Sequence, residues 1–185
     1  MEKLFIQANV YARQKTKFSC VRYGNVIGSR GSVIPIFKQQ KDSGYITVTD
    51  LRMTRFWITL EQGVNFVINC LDAMRGGEIF IPKLPSLAVV DLATAIAPEC
   101  KTRVTGIRPG EKLHETLLTE DEARHSREYE DYFVVHPEFP YWTSDGFLDM
   151  TGNKLPEGFR YGSNSNTNWL TKEQLKDIVN CSVFP

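Results

Sequence analysis

The stretch FSCVRYGNVIGSRGSV, residues 18–33, sets the reading of the whole chain. Its first six residues are largely apolar and β-prone, the pattern of a central strand covered on both faces. The composition then changes. Residues 22–33 hold three glycines (Gly24, Gly28, Gly31) and two arginines (Arg22, Arg30) in twelve positions, more than a surface turn requires. A glycine-bearing loop at the carboxyl end of a strand brings backbone N–H groups and short side chains to the sheet edge where open α/β sheets bind ligands. Asn25 offers both a donor and an acceptor there, and Arg30 could reach a phosphate. Taken alone, the same residues fit a glycine-rich connection with a solvated arginine equally well.

Working outward, residues 2–13 (EKLFIQANVYAR) place Leu4, Phe5, Ala8 and Ala12 on one helical face. Helices are also predicted over 35–40, from Thr59 to Met74 behind a Thr-x-x-Gln cap, over 87–97, from Pro109 (PGEKLHETLL), and over 171–179. Strands are predicted over 45–49 (YITVT), 78–81 (EIFI), 103–107 (RVTGI) and 129–136 (YEDYFVVH), with a long loop over 146–168. Strands alternating with helices define an α/β chain. No G-x-G-x-x-G follows an opening strand, so the pyrophosphate cradle of a complete dinucleotide fold is not found in these residues.

Composition narrows the chemistry. Hydrophobic residues make up 42% and charged residues 24% of 185 positions, an ordinary globular balance. Lys+Arg and Asp+Glu both number 22, so no global field recruits nucleic acid or an anionic membrane. Any anion must be met by local arginines. Cys20, Cys70, Cys100 and Cys181 form no C-x-x-C pair and read as free thiols of a reducing, cytoplasmic compartment. No apolar run reaches transmembrane length. His114, His125 and His136 lack metal spacing and read as ordinary surface or strand residues.

Two further clusters carry candidate chemistry. In TDLRMTRFW (49–57), Arg52 and Arg55 flanked by Phe56 and Trp57 suit a diphosphate gripped beside a flat ring. An exposed arginine pair over buried aromatics is the plain alternative. In GIRPGEKLHE (106–115), Arg108 would precede a helix N-terminus, an anion site, and Glu111 could accept sugar hydroxyls. A helix cap with a surface salt bridge would use the same residues.

Read together and in order, RYGNV-x-GSRGSV-x-P, TD-x-RMTRFWIT, GG-E-I-F-x-P-K and G-IRPGEKLHE resemble the inverting UDP-N-acetylglucosamine 4,6-dehydratases. These belong to the polysaccharide-biosynthesis (CapD-like) branch of the extended short-chain dehydrogenase/reductases, and the resemblance covers residues 1–140. It implies the C-terminal portion of a Rossmann-like fold with its small substrate-binding domain, the N-terminal NADP-binding half being absent. Residues 1–32 would be a remnant of the cofactor domain, 33–140 the UDP-sugar region, and 141–185 a C-terminal loop and helix.

By the same resemblance, Asn25, Thr49, Arg55, Arg108 and Glu111 would hold the UDP-sugar, with Arg55 toward the diphosphate. Val26, Ile27, Gly28, Ser29 and Arg30 would line NADP. The family's catalytic Tyr-x-x-x-Lys pair would fall just ahead of Met1, so catalysis by this chain alone is not expected. Epimerisation of a UDP-sugar, a non-catalytic nucleotide-sugar module and one subunit of a split enzyme stay open. So do a second copy or the missing N-terminal half as partner.

Overall fold

The computed structural model describes residues 1–12, 15–29, 32–138 and 151–181. Its first elements are α1 (Glu2–Tyr11), β1 (Cys20–Val21), β2 (Asn25–Val26), α2 (Val33–Gln40), β3 (Tyr45–Val48) and β4 (Thr54–Ile58). Next come α3 (Leu60–Ala73), β5 (Ile79–Pro82), β6 (Ser86–Ala88), α4 (Val89–Ile96), β7 (Lys101–Val104) and β8 (Thr116–Leu118). The last are α5 (Glu120–Ala123), β9 (Ser126–Glu128), β10 (Tyr132–Val135), β11 (Asn153–Lys154), β12 (Tyr161–Gly162) and α6 (Lys172–Cys181). The chain forms two compact units, each assembled from three separated segments. Met1–Tyr23, Glu61–Lys83 and Leu117–Tyr161 make the first; Gly24–Leu60, Leu84–Thr116 and Gly162–Pro185 make the second.

The first unit is built on a five-stranded sheet in the order β1-β5-β10-β9-β11. Here β1 runs parallel to β5, with Cys20 opposite Ile79, and the other pairings are antiparallel. Every residue of β5 is buried, as expected of an apolar strand with a neighbour on each side. Cys70 of α3 packs with Phe80 and Val134, and burial pushes its thiol up to about 11, which makes it a poor nucleophile.

The helix predicted at the start of the chain is present, but the reason it stays put is polar. Leu4 is 71% exposed and Phe5 49%, whereas Asn9 is buried. The Asn9 amide donates to the carbonyls of Ile6 and Phe18 and accepts the Phe18 N–H, each at 2.9 Å. A second polar tie is Arg22. Its N–H groups go to Glu2 (2.9 and 2.6 Å), to Glu122 (3.1 and 2.9 Å) and to the Leu117 carbonyl (2.7 Å). Those five bonds use every donor the guanidinium has.

The second unit has a three-stranded sheet, β2-β4-β6, and a parallel pair, β3 and β7. β2 runs parallel to β4, with Asn25 opposite Trp57, and β6 is antiparallel to β4. Ile34 and Phe37 of α2, Ile46 and Val48 of β3, Leu92 and Ile96 of α4, and Leu175 of α6 share one core with Met53 and Trp57. Pro35 falls in the first turn of α2, where its missing N–H costs no intrahelical bond.

One strand goes unannounced in the sequence, and three expectations are corrected. Residues 54–58 form β4, which the arginine and aromatic pattern of 49–57 does not announce. The helix predicted over 87–97 starts at Val89, because Ser86–Ala88 pair with β4 instead. The strand predicted over 129–136 is broken by a turn closed from the Tyr129 N–H to the Tyr132 carbonyl, which separates β9 from β10. No helix begins at Pro109: Gly110 adopts φ 81°, outside helical space, so Arg108 does not sit beside a helix N-terminus.

Two outcomes test this packing. A Cβ on Gly24 would lie 2.5 Å from the Phe56 carbonyl oxygen and 2.6 Å from its Cβ. Gly24→Ala is expected to lower the free energy of urea unfolding by about 1–3 kcal/mol, the usual range for overpacking. For Glu122, burial alone would raise the carboxyl pKa, but hydrogen bonds from Arg22 and Thr119 outweigh it and hold the value at about 2, against an ordinary 4.5. A folded-state value below the unfolded one stabilises fully above the ordinary pKa and is lost as pH falls toward 2. Between about pH 5 and about pH 3 the protein should therefore lose more stability than its Glu122→Gln variant, measured as the shift in urea midpoint.

Candidate functional site

Three segments of the second unit, far apart in sequence, enclose a cavity of about 380 Å³. β2 and the loop after it contribute Asn25, Val26, Ile27, Gly28 and Ser29; Thr49 follows β3 directly; β4 contributes Arg55; the 105–111 loop contributes Arg108 and Glu111. Nine of the ten positions singled out from sequence thus line one hollow. The tenth, Arg30, lies outside the described residues. Trp57, named from sequence as a flanking aromatic, lines the cavity with Phe37, Val48, Met53 and Val89, an apolar lining that sequence reasoning did not otherwise assign to the site. Gly28 has φ 79°, a left-handed conformation that lets the loop turn back beside the cavity.

The polar groups divide into separate roles. Thr49 Oγ1 donates to Glu111 Oε1 at 3.3 Å, and Glu111 Oε2 accepts the Arg108 N–H at 3.1 Å. Arg108 itself is exposed, and among the described residues no hydrogen bond or ion pair engages its side chain. Arg55 is placed differently. Its Nη1 donates to the carbonyls of Thr54 (2.7 Å) and Leu113 (3.0 Å), its Nη2 to that of Lys112 (2.7 Å), and its Nε lies 3.5 Å from Glu115. Only 14% of its side chain is exposed.

The expected pairing of Arg52 with Arg55 does not form. Arg52 grips Asp50 through Nε (3.0 Å), Nη2 (2.8 Å) and its own N–H (2.8 Å), and its side chain is 71% exposed. Those Arg52 hydrogen bonds hold the Asp50 carboxyl at about 2.

Two residues that sequence reasoning passed over reinforce the cavity wall. His114 Nδ1 lies 2.8 Å from Thr54 Oγ1, and Ser163 Oγ lies 2.7 Å from that same hydroxyl. Fully buried Ser163 also accepts the Glu115 N–H at 3.0 Å. Nothing in its surroundings (Tyr161-Gly162-Ser163-Asn164) signals this role, because the partners are more than forty residues away in sequence.

The first unit holds a larger hollow of about 490 Å³. It is a poor anion site: Arg22 is saturated there, and Glu2, Asp121, Glu122 and Glu138 add negative charge. The Tyr-x-x-x-Lys spacing does occur once, from Tyr11 to Lys15, but Tyr11 is 85% exposed and neither residue lines either hollow. Among the described residues no three His, Cys, Asp or Glu side chains are grouped to hold a metal, and no helix is long and apolar enough to cross a membrane. Cys20, Cys70 and Cys100 are free thiols.

The parallel strand pairings and the helices interleaved with them are a Rossmann-like α/β architecture, and the same arrangement occurs in a solved protein. The X-ray structure of Pen from Bacillus thuringiensis superposes with a TM-score of 0.80 at 34% identity, covering 97% of this chain and 55% of that one. The inverting UDP-N-acetylglucosamine 4,6-dehydratase of Campylobacter jejuni is 44% identical over 187 residues, 97% of this chain and 56% of the relative. A UDP-glucose 4-epimerase of Rickettsia bellii is 39% identical over 144 residues, 73% of this chain and 41% of the relative. Residues 1–137 match the polysaccharide biosynthesis protein family, and the chain belongs to it. It spans about half the length of these relatives.

Ser163→Ala would strand the Glu115 N–H and remove a partner of the Thr54 hydroxyl in a dry setting. The expected cost is about 1–3 kcal/mol, read as a lower urea midpoint with an unchanged m-value.

Proposed function

We propose that this chain supplies the UDP-sugar-binding part of an inverting, NADP-dependent UDP-N-acetylglucosamine 4,6-dehydratase that serves surface polysaccharide or glycan biosynthesis in the cytoplasm. The observation that carries the reading is the convergence of Asn25, Thr49, Arg108 and Glu111 on one 380 Å³ cavity with an apolar floor. A cavity of this size and lining suits a small polar ligand with one flat ring. Arg108 is the cation free to meet a diphosphate, and a guanidinium matches phosphate oxygens in bidentate fashion. Glu111 and Thr49 would order sugar hydroxyls, and Asn25 would add a donor and an acceptor.

Val26, Ile27, Gly28 and Ser29 form the wall along β2, where a flat nicotinamide ring could lie against backbone and small side chains. They fit that end of NADP only, since no glycine-rich pyrophosphate cradle occurs in these residues. When bound, the cofactor supplies reversible hydride transfer. The protein's own contribution here is to hold and orient the sugar nucleotide, so these residues are expected to bind without turning over.

A second reading, epimerisation of a UDP-sugar, is favoured by the likeness to the Rickettsia bellii epimerase over residues of this same cavity. The two share a binding step and differ in product.

Calorimetric titration of the chain with UDP tests the binding step. We expect affinity on the order of micromolar, weakened about tenfold or more by Arg108→Ala, since one charge-assisted phosphate contact is worth about 1.5–3 kcal/mol. No heat of binding with UDP, UMP or UDP-N-acetylglucosamine would overturn the proposal.

A further inference from the structure

The residue chemistry at position 55 points away from the ligand. Four of the five N–H directions of its guanidinium face the carbonyls of Thr54, Leu113 and Lys112 and the carboxylate of Glu115. To grip a phosphate with its fork, Arg55 would have to abandon all three carbonyls; Leu113 would keep the Thr54 N–H and Thr54 the Ser163 hydroxyl, but the Lys112 carbonyl would lose its hydrogen bond. We propose that Arg55 is a positioning residue: it fastens residues 112–115 to β4 and so sets where Arg108 and Glu111 stand in the cavity. This rests on the reading of that cavity as a UDP-sugar site.

The loop it anchors has the build of a strap. Residues 105–110 are exposed throughout. At one end the Thr105 N–H donates to the Val48 carbonyl (2.9 Å), tying the loop to β3. At the other end the Thr54 N–H donates to the Leu113 carbonyl (3.1 Å) beside the Arg55 fork. Between these ties Gly106 (φ 87°) and Gly110 (φ 81°) occupy open space, so the strap bends without side-chain obstruction on either side of Arg108. Among the described residues, Arg108 and Glu111 are held only to each other and to Thr49. Their position therefore depends on the ends of the strap, and Arg55 holds the end next to Glu111.

Two measurements on the whole chain decide this. In ligand-free protein, Arg55→Met should raise the amide exchange of residues 108–115 about tenfold or more while the core of α2, β3 and α4 keeps its protection. In calorimetry with UDP, Arg55→Met and Arg108→Ala should each weaken binding about tenfold, and the double variant should bind no more weakly than Arg108→Ala alone. With uridine, which has no phosphate, Arg108→Ala and Arg55→Met should bind as the unmodified chain does. Arg55→Lys keeps the charge but not the fork, and it should behave as Arg55→Met does.

Additive losses of about a hundredfold in the double variant, or recovery of UDP affinity by Arg55→Lys, would place Arg55 on the phosphate and overturn the proposal. If the chain itself fails to bind UDP, the functional reading falls, and the exchange experiment still decides the clamp: unchanged rates in Arg55→Met overturn it. Should Arg55→Met not fold, the Arg55→Lys protein carries both measurements.

Discussion

One arginine fastens the strand ladder of the second unit to the loop that completes its cavity. The Arg55 guanidinium reaches from β4 across to the carbonyls of Lys112 and Leu113, and Thr54 next to it adds an N–H, a carbonyl and a hydroxyl to the same seam. A neutral apolar residue at position 55 could fill the volume but could not satisfy three carbonyls at once. The geometry also explains why residues 112–115 form no helix. The Lys112 and Leu113 carbonyls accept from β4, and that of Glu115 from the Ser163 N–H, rather than from amides further along their own chain, so a helix there would forfeit bonds already made.

The arginines of this chain are divided among distinct tasks, and the division follows from its zero net charge. With no surplus of positive field, each guanidinium acts through what it touches. Arg22 cross-links Glu2 and Glu122, Arg52 is spent on Asp50 at the surface, and Arg55 serves the backbone. The Asp50–Arg52 pair, its guanidinium well exposed, contributes little to stability despite its good geometry. Among the arginines of the described cavity, Arg108 is left with its charge unspent. Local pairing, and not overall charge, decides which cation can receive an anion.

The sequence was most legible where chemistry and spacing coincide. Helical periodicity located α2, α3, α4 and α6 to within a few residues, and motif order picked out Asn25 to Ser29, Thr49, Arg55, Arg108 and Glu111 as cavity positions. Long-range pairing was not legible. β4 reads as a polar cluster because its identity as a strand depends on β2 and β6 lying alongside it. Pro109 resembles a helix start until Gly110 turns left-handed and Arg55 takes the carbonyls beyond. Ser163 and His114 acquire meaning only through Thr54, more than fifty residues from each. Likewise, the apolar stripe of α1 was legible, but the polar Asn9 that ties the helix down was not.

The order in which the polypeptide visits its two units has a kinetic consequence. It crosses from one to the other five times, at residues 23–24, 60–61, 83–84, 116–117 and 161–162. Neither unit can therefore be cut out as one continuous length, and neither can finish while the ribosome still holds the last third of the chain. Contacts such as Thr54 with Ser163 close very long loops, and the entropy of closing them must be met before the contacts reward it. Early in synthesis the strand at residues 54–58 must wait, unsealed, for a serine translated more than a hundred codons later.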